Sequence, residues 1–401
     1  MPTATTTLAG IRAKVASAAR ISPEEALLLW REASAAALRA LATQVRARFH
    51  PPDACTYLIM RIVNYTNVCV AQCDYCAFYR LPGQDGGYVL SHDQVFAKLD
   101  ELLALGGDLA GFNGGFNPHL PLDYYCDLFR AIRTRYGDTL EFYALTIAEF
   151  MYLADHANLD YPTAAQRFKD SGVRWITGGG SEILTEDFRR RHSKFKYTVA
   201  QYFEAQAAIV AAGLRTTATM VVGFDETIEE RIEHLERTRA FQAQLLATGD
   251  PTGLASFLCW TFKPYFTPLG AQLGNIEIST SEYLRHLALS RIYLDNVPRI
   301  RTSVLTQNER ALEGLLYGAD DFDLPIEDEV TQMAGATISL NFDRILSVAR
   351  SLGFTPTYRR VAQPTPAPAL VPATKLGAPG LAPETWDITP LHSPPLPRPH
   401  R

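Results

Sequence analysis

The chain contains no run of roughly 18 apolar residues, and that absence excludes a membrane-spanning helix. Nor is there a basic stripe. Its 38 Lys and Arg stand against 43 Asp and Glu, a formal net charge of −5 over 401 residues, so an electrostatic footprint for nucleic acid is excluded. The single basic cluster, Arg189 to Lys196, follows Glu186 and Asp187 and reads mainly as a solvated helix end. The second option is that one member reaches an anionic ligand. The stretch from Met1 to Ser22 lacks acidic residues and carries Arg12, Lys14 and Arg20 among Ala, Ser and Thr, as a transit peptide does. It also lacks the apolar core of a secretory signal, and a short helix is the preferred reading. With 47% hydrophobic and 20% charged residues the composition is that of a globular protein long enough for a large core.

Of the six cysteines, three fall in one short run: Cys69, Cys73 and Cys76, between Asn64 and Arg80. A CxxxCxxC triplet offers three thiolates, which can hold three corners of a 4Fe–4S cube and leave the fourth iron open. A buried structural trio is a weaker alternative, because a strand interior would not carry three at this spacing. Structural zinc wants two paired ligand groups, and no second CxxC exists. A redox CxxC leaves Cys69 unexplained. Cys55, Cys126 and Cys259 are isolated in apolar or aromatic surroundings and read as core thiols. Clustered, oxygen-sensitive thiols favour a reducing compartment, the cytoplasm, without disulfides.

Helices open the chain. Ser22-Pro23-Glu24-Glu25 supplies an N-cap, a first-turn proline and a capping-box glutamate, and a second helix is expected from Ser34 to Phe49. From residue 52 to about 361, short β-rich runs alternate with amphipathic stretches at 91–105, 122–136, 199–212 and 228–246. The runs are 57–63, 109–112, 140–145, 173–176, 216–222, 254–260, 300–305 and 315–317. Eight strand-then-helix units predict an α/β fold of the parallel barrel type, decorated by the helical segment 1–51. Eleven of the 25 prolines lie between Pro364 and Pro399, so the segment 362–401 is expected to be a disordered tail.

In such a barrel the working groups sit on loops at the carboxyl ends of the strands. The expected loops carry the cysteines, then Asn113-Gly114-Gly115, then Thr146 and Glu149, then Gly178 to Glu182 with Ser181, then Gly223 to Thr227 with Asp225. Further loops carry Lys263 and Tyr265, Thr306 to Asn308, and Asp320-Asp321. Taken singly each is weak, since turns favour such residues for backbone reasons. Their repetition at one end points to a single polar cavity.

CxxxCxxC with an aromatic before the last cysteine, after the first strand of an α/β barrel, resembles the radical S-adenosylmethionine superfamily. More narrowly, Asn64 to Cys69, Cys76 to Arg80, Gly178 to Leu184, Leu214 to Met220, Ser290 to Asn296 and Gly318 to Asp321 resemble the dehypoxanthine futalosine cyclases of the futalosine route to menaquinone. The likeness runs from about Ser22 to Phe354.

The resemblance implies that Cys69, Cys73 and Cys76 ligate the cluster and that the methionine part of S-adenosylmethionine chelates the fourth iron. It places Tyr75 and Phe78 beside the adenine, Asn113, Gly114 and Gly115 at the methionine amino group, and Ser181-Glu182 at the ribose or amino group. A 5′-deoxyadenosyl radical would then take hydrogen from the substrate ribose at C4′, and the carbon radical would close a ring on the benzoate. The product is spirocyclic. A reducing partner such as flavodoxin or ferredoxin is implied, as is a base for the final deprotonation, with Glu149, Asp225, Asp320 and Asp321 as candidates. Two departures bear on the substrate: Asn117 and Phe224 stand where relatives often carry histidine. The alternatives are aminofutalosine synthase or a deazaflavin-forming enzyme of the same group, and, from another class, an iron–sulfur electron carrier or a zinc-stabilised scaffold.

Overall fold

The computed structural model describes residues 7–194, 196–250, 252–361 and 371–372. Parallel strands β1 (Ala54–Val63), β2 (Leu109–Phe112), β3 (Glu141–Thr146), β4 (Trp175–Thr177), β5 (Thr216–Val222), β6 (Leu254–Thr261), β7 (Ile300–Thr302) and β8 (Asp321–Pro325) are hydrogen-bonded in the order β4-β3-β2-β1-β8-β7-β6-β5. The ring is nearly closed. Between β4 and β5 there is one isolated bridge, Trp175 to Arg215, in place of a ladder. A short β9 (Thr355–Tyr358) lies parallel to the start of β1.

Helices cover the outer face, several by one apolar stripe, whereas Thr280–Tyr293 is buried on nearly every side. Leu122–Tyr136 buries Leu122, Tyr125, Leu128, Phe129 and Ile132, and the Phe129 ring stacks on Phe142 of β3 at 5.4 Å. The expected capping box at Ser22 and Glu25 starts Pro23–Glu32, and Ser34 caps Ala35–Arg46. The N-terminal stretch forms a helix, Leu8–Ala16. Alternation along the strands separates the two faces. Tyr57, Ile59 and Val63 face the helices, whereas Leu58 and Met60 face inward and meet Leu109, Tyr143, Trp175 and Val361. That inner cluster, with Val361 N–H and the Tyr358 hydroxyl both on Asp108 just before β2, packs across the amino end of the barrel. The opposite, carboxyl end is left for chemistry. The expected proline-rich tail falls outside the described residues apart from 371–372.

Two expected strands differ. The seventh stops at Thr302, and Val304–Gln307 is a helical turn. The run at 315–317 belongs to a 3₁₀ helix, Asn308–Tyr317, which ends at Gly318 with φ 92°. The eighth strand comes later, as Asp321-Phe-Asp-Leu-Pro325. Phe322 and Leu324 enter the outer core, while Asp321 and Asp323 turn inward, Asp321 to arginine. Asp321 is paired in register with Thr56 near the start of β1, so Asp320 and Asp321 lie at the amino end, opposite the cysteines.

Candidate active site

β1 runs directly into the cysteine loop. Cys69 N–H donates to Arg80 O at 2.9 Å, Arg80 N–H to Asn67 O at 2.8 Å and Val70 N–H to Phe116 O at 3.1 Å, so the loop is pinned to itself and to the segment after β2. Gly115 is required by that approach: a Cβ there would stand 2.2 Å from Val68 O and 2.7 Å from Cys69 Cβ. Gly114 meets the Tyr65 ring in the same way, at 2.6 Å. These glycines therefore serve close contact within the protein itself.

Cys73 is buried, and Cys69 and Cys76 are half-buried, in an apolar shell of Ala71, Phe116, Ala148 and Tyr152. Burial pushes all three thiols up, Cys76 to about 12, and Cys69 and Cys76 each feel Cys73 nearby. Cys69 Sγ accepts from the N–H groups of Ala71 at 3.4 Å and Phe116 at 3.2 Å. Donors aimed at sulfur favour a thiolate ligand. No three His, Cys, Asp or Glu side chains among the described residues converge on one metal ion. A cube asks for something else, since each thiolate binds its own iron. Three neighbouring thiols on one loop, shielded by apolar groups and supported by N–H donors, fit that donor set. Cys55, Cys126 and Cys259 are buried elsewhere in the core.

Around this loop the other expected residues divide. Tyr75 and Glu182 come together: Lys196 Nζ lies 3.0 Å from the Tyr75 hydroxyl and from Glu182 Oε1, and Ser193 Oγ is 2.9 Å from the same hydroxyl. Glu182 has φ 41°, the left-handed region that a side chain rarely adopts. Phe78 lies on the other flank, edge-on to Tyr88. Ser181 is turned into the barrel wall, donating to Thr219 O at 2.6 Å. Asn113 gives its carbonyl to Asn64 Nδ2 at 2.8 Å. Asn117 bonds Thr66 and His119, and Phe224 packs 5.3 Å from Tyr75 and 4.6 Å from Phe262. The basic cluster is less solvated than expected, for Arg189, His192 and Lys196 are buried or nearly so.

None of the four expected bases is free. Glu149 is the capping-box residue of Ile147–His156, and its carboxylate accepts from Tyr65, Gly114 N, Thr146 N and Thr146 Oγ1. Burial raises its pKa, and those donors oppose the rise. Asp225 is held by His192 Nε2 at 2.7 Å and by Arg191; burial would raise it, but these partners keep it below the usual carboxylate range. His192 Nδ1 also reaches Asp74, between two of the cysteines, at 3.0 Å. Asp320 and Asp321 are corrections: the shifted eighth strand puts them at the far end, paired to Arg291, Arg301 and Arg359. Sequence reasoning gave His192 only as a member of the basic cluster, since nothing local marks its bonds to Asp74 and Asp225.

A parallel barrel presenting three neighbouring thiols at its carboxyl mouth is, as a class, a cluster-binding barrel enzyme. Residues 63–238 match the radical SAM superfamily, and residues 251–367 match the CofH/MqnC C-terminal region. The chain belongs to the radical SAM superfamily and is an enzyme of it, with a 4Fe–4S cluster and S-adenosylmethionine as cofactors. It is 35% identical to the cyclic dehypoxanthine futalosine synthase of Halalkalibacterium halodurans, over 87% of this chain and 92% of that one. To the aminodeoxyfutalosine synthase of Thermus thermophilus it is 34% identical, over 81% and 86%. In fold it is similar to methylornithine synthase (TM-score 0.64, 15% identity, 86% of this chain and 97% of that one). HydG, a maturase of the FeFe-hydrogenase, is similar too (TM-score 0.66, 16% identity, 88% and 76%). No helix among the described residues is long and apolar enough to cross a membrane.

Proposed function

We propose that the protein converts dehypoxanthine futalosine to its cyclic form, by hydrogen abstraction at ribose C4′ and closure of a ring on the benzoate. The observation that carries this reading is the 35% identity to a cyclic dehypoxanthine futalosine synthase across almost the full length of both chains. Cys69, Cys73 and Cys76 hold the cluster. When bound, the cluster and S-adenosylmethionine supply one-electron cleavage of the sulfonium and, through it, hydrogen abstraction. The chain's own part is positioning and exclusion of water. The backbone of Asn113 to Gly115, fixed by Glu149, lies beside the cysteine loop and orients the methionine end. Glu182 and Lys196, charges of opposite sign in a half-dry corner next to Tyr75, orient the polar groups of the nucleoside. The apolar cluster of Leu58, Met60, Leu109, Tyr143 and Trp175 fills the amino end behind the substrate.

The 34% identity to an aminodeoxyfutalosine synthase supports a second reading, in which the adenosyl group is joined to the substrate. Anaerobic turnover with dehypoxanthine futalosine, followed by mass analysis, separates the two. The cyclase releases 5′-deoxyadenosine and a product two hydrogens lighter than the substrate. No turnover of this compound, with the adenosyl group consumed instead into an adduct of an alkene substrate supplied in a parallel incubation, would establish the synthase.

A further inference from the structure

The inside of the barrel holds an unmatched polar pair. Asp323 lies between Phe322 and Leu324, which face the outer core, so its side chain points inward, beside Leu58 of β1. Arg301 follows the outward Ile300 on β7 and also points inward. Each is 3% exposed. Arg301 Nε donates to Asp321 at 3.0 Å, and Asp323 Oδ2 accepts from Leu305 N–H at 3.3 Å. Yet Asp323 Oδ1 and Arg301 Nη2 have no hydrogen-bond partner among the described residues. Buried polar atoms are rarely left so, and two of opposite kind on the inward faces of the paired strands β7 and β8 point to a group that completes them. Nearer the carboxyl ends, the inward side chains Ile62, Val221 and Trp260 are half-buried, so the barrel interior is less tightly filled there than at this pair.

We propose that Arg301 and Asp323 form a hydroxyl-binding subsite on the floor of the barrel chamber, which holds the sugar of the substrate. This rests on the reading of the chamber as the substrate site of the cyclase. The donor set selects the ligand. A carboxylate would satisfy Arg301 and be repelled by Asp323, and an ammonium would do the reverse. A hydroxyl, or two neighbouring hydroxyls, donates to one and accepts from the other. Burial pushes Asp323 up to about 6, with Arg301 opposing, so near neutral pH it is chiefly the accepting carboxylate.

The test is calorimetric binding of dehypoxanthine futalosine and its 2′-deoxy and 3′-deoxy forms to the reconstituted, anaerobic holoenzyme, wild type and Asp323→Asn. In the wild type, loss of the held hydroxyl weakens binding about tenfold to a hundredfold, as for a hydrogen bond to a charged group. In Asp323→Asn the parent compound is weakened to a similar extent, and the deoxy forms lose nothing further. The effect of S-adenosylmethionine on the spectrum of the reduced cluster is unchanged. Equal affinity of the wild type for all three compounds overturns the subsite, a measurement that depends on no variant folding. Wild type that cleaves S-adenosylmethionine but binds none of the three overturns the cyclase reading itself, and the subsite with it.

Discussion

Glu149 Oε1 accepts the backbone N–H of Gly114 at 2.8 Å, so the first turn of one helix fixes the loop that follows β2 against the cysteine loop. Replacing it by Gln puts an NH2 group where one carboxylate oxygen accepts two of its bonds, so donor faces donor. Glu149→Gln should lower stability by roughly 2–4 kcal/mol and weaken S-adenosylmethionine binding. Thermal unfolding and the KM for S-adenosylmethionine check this. Were Glu149 instead the base of the reaction, 5′-deoxyadenosine would still form at the normal rate while the cyclic product ceased.

Cys73→Ala should abolish both cluster-derived absorbance and 5′-deoxyadenosine formation, whereas Cys126→Ala should retain both. Iron analysis after anaerobic reconstitution, with about four irons expected per wild-type chain, provides the readout. Turnover retained by the first variant would remove the basis for the cluster site.

Asp320 accepts from Ile300 N–H at 3.1 Å and pairs with Arg291, whose side chain is fully buried. Cutting that pair leaves an unmatched buried cation. Asp320→Ala should cost about 3–5 kcal/mol in denaturant unfolding and leave kcat and KM near wild type at low temperature. A large fall in kcat with normal stability would return Asp320 to the reaction.

Acid should unfold the protein through two interior histidines. His234 accepts from Leu184 N–H at 3.0 Å, and burial lowers its pKa from 6.5 to about 3; burial lowers His286 as well. The unfolded chain therefore takes up these protons first. The contribution of His234 is complete above pH 6.5 and is lost as pH falls toward about 3, by about 1.4 kcal/mol per pH unit, and His286 acts in the same direction. Unfolding midpoints across pH 4–7 should fall with acid, and His234→Gln should flatten the curve over that window.

The cysteine loop was legible because its chemistry is local, and β2 and β5 were legible because their apolar runs are bounded by turns. β8 was hidden: Asp and Pro are poor strand formers, and only pairing of Asp321 with Arg301 and Arg359 makes that segment a strand. Tertiary charge pairing overrode propensity there, and the misplaced strand carried Asp320 and Asp321 to the wrong end. Glu149 shows another limit. Thr146-Ile-Ala-Glu149 is readable as a capping box, but its further bonds to Tyr65 and Gly114 depend on distant segments. Lys196 and Arg189 look solvated in a run of basic residues, and folding alone brings them to Glu182 and Ser181.

The single bridge between β4 and β5 makes the wall an incomplete hoop. Elsewhere, widening the chamber would break a row of inter-strand bonds; along this seam it strains the lone contact at Trp175 and Arg215 and the few bonds beside it. Side chains take over the fastening there: Thr217 accepts from Gly178 N–H, and Thr219 donates to the Gly178 carbonyl.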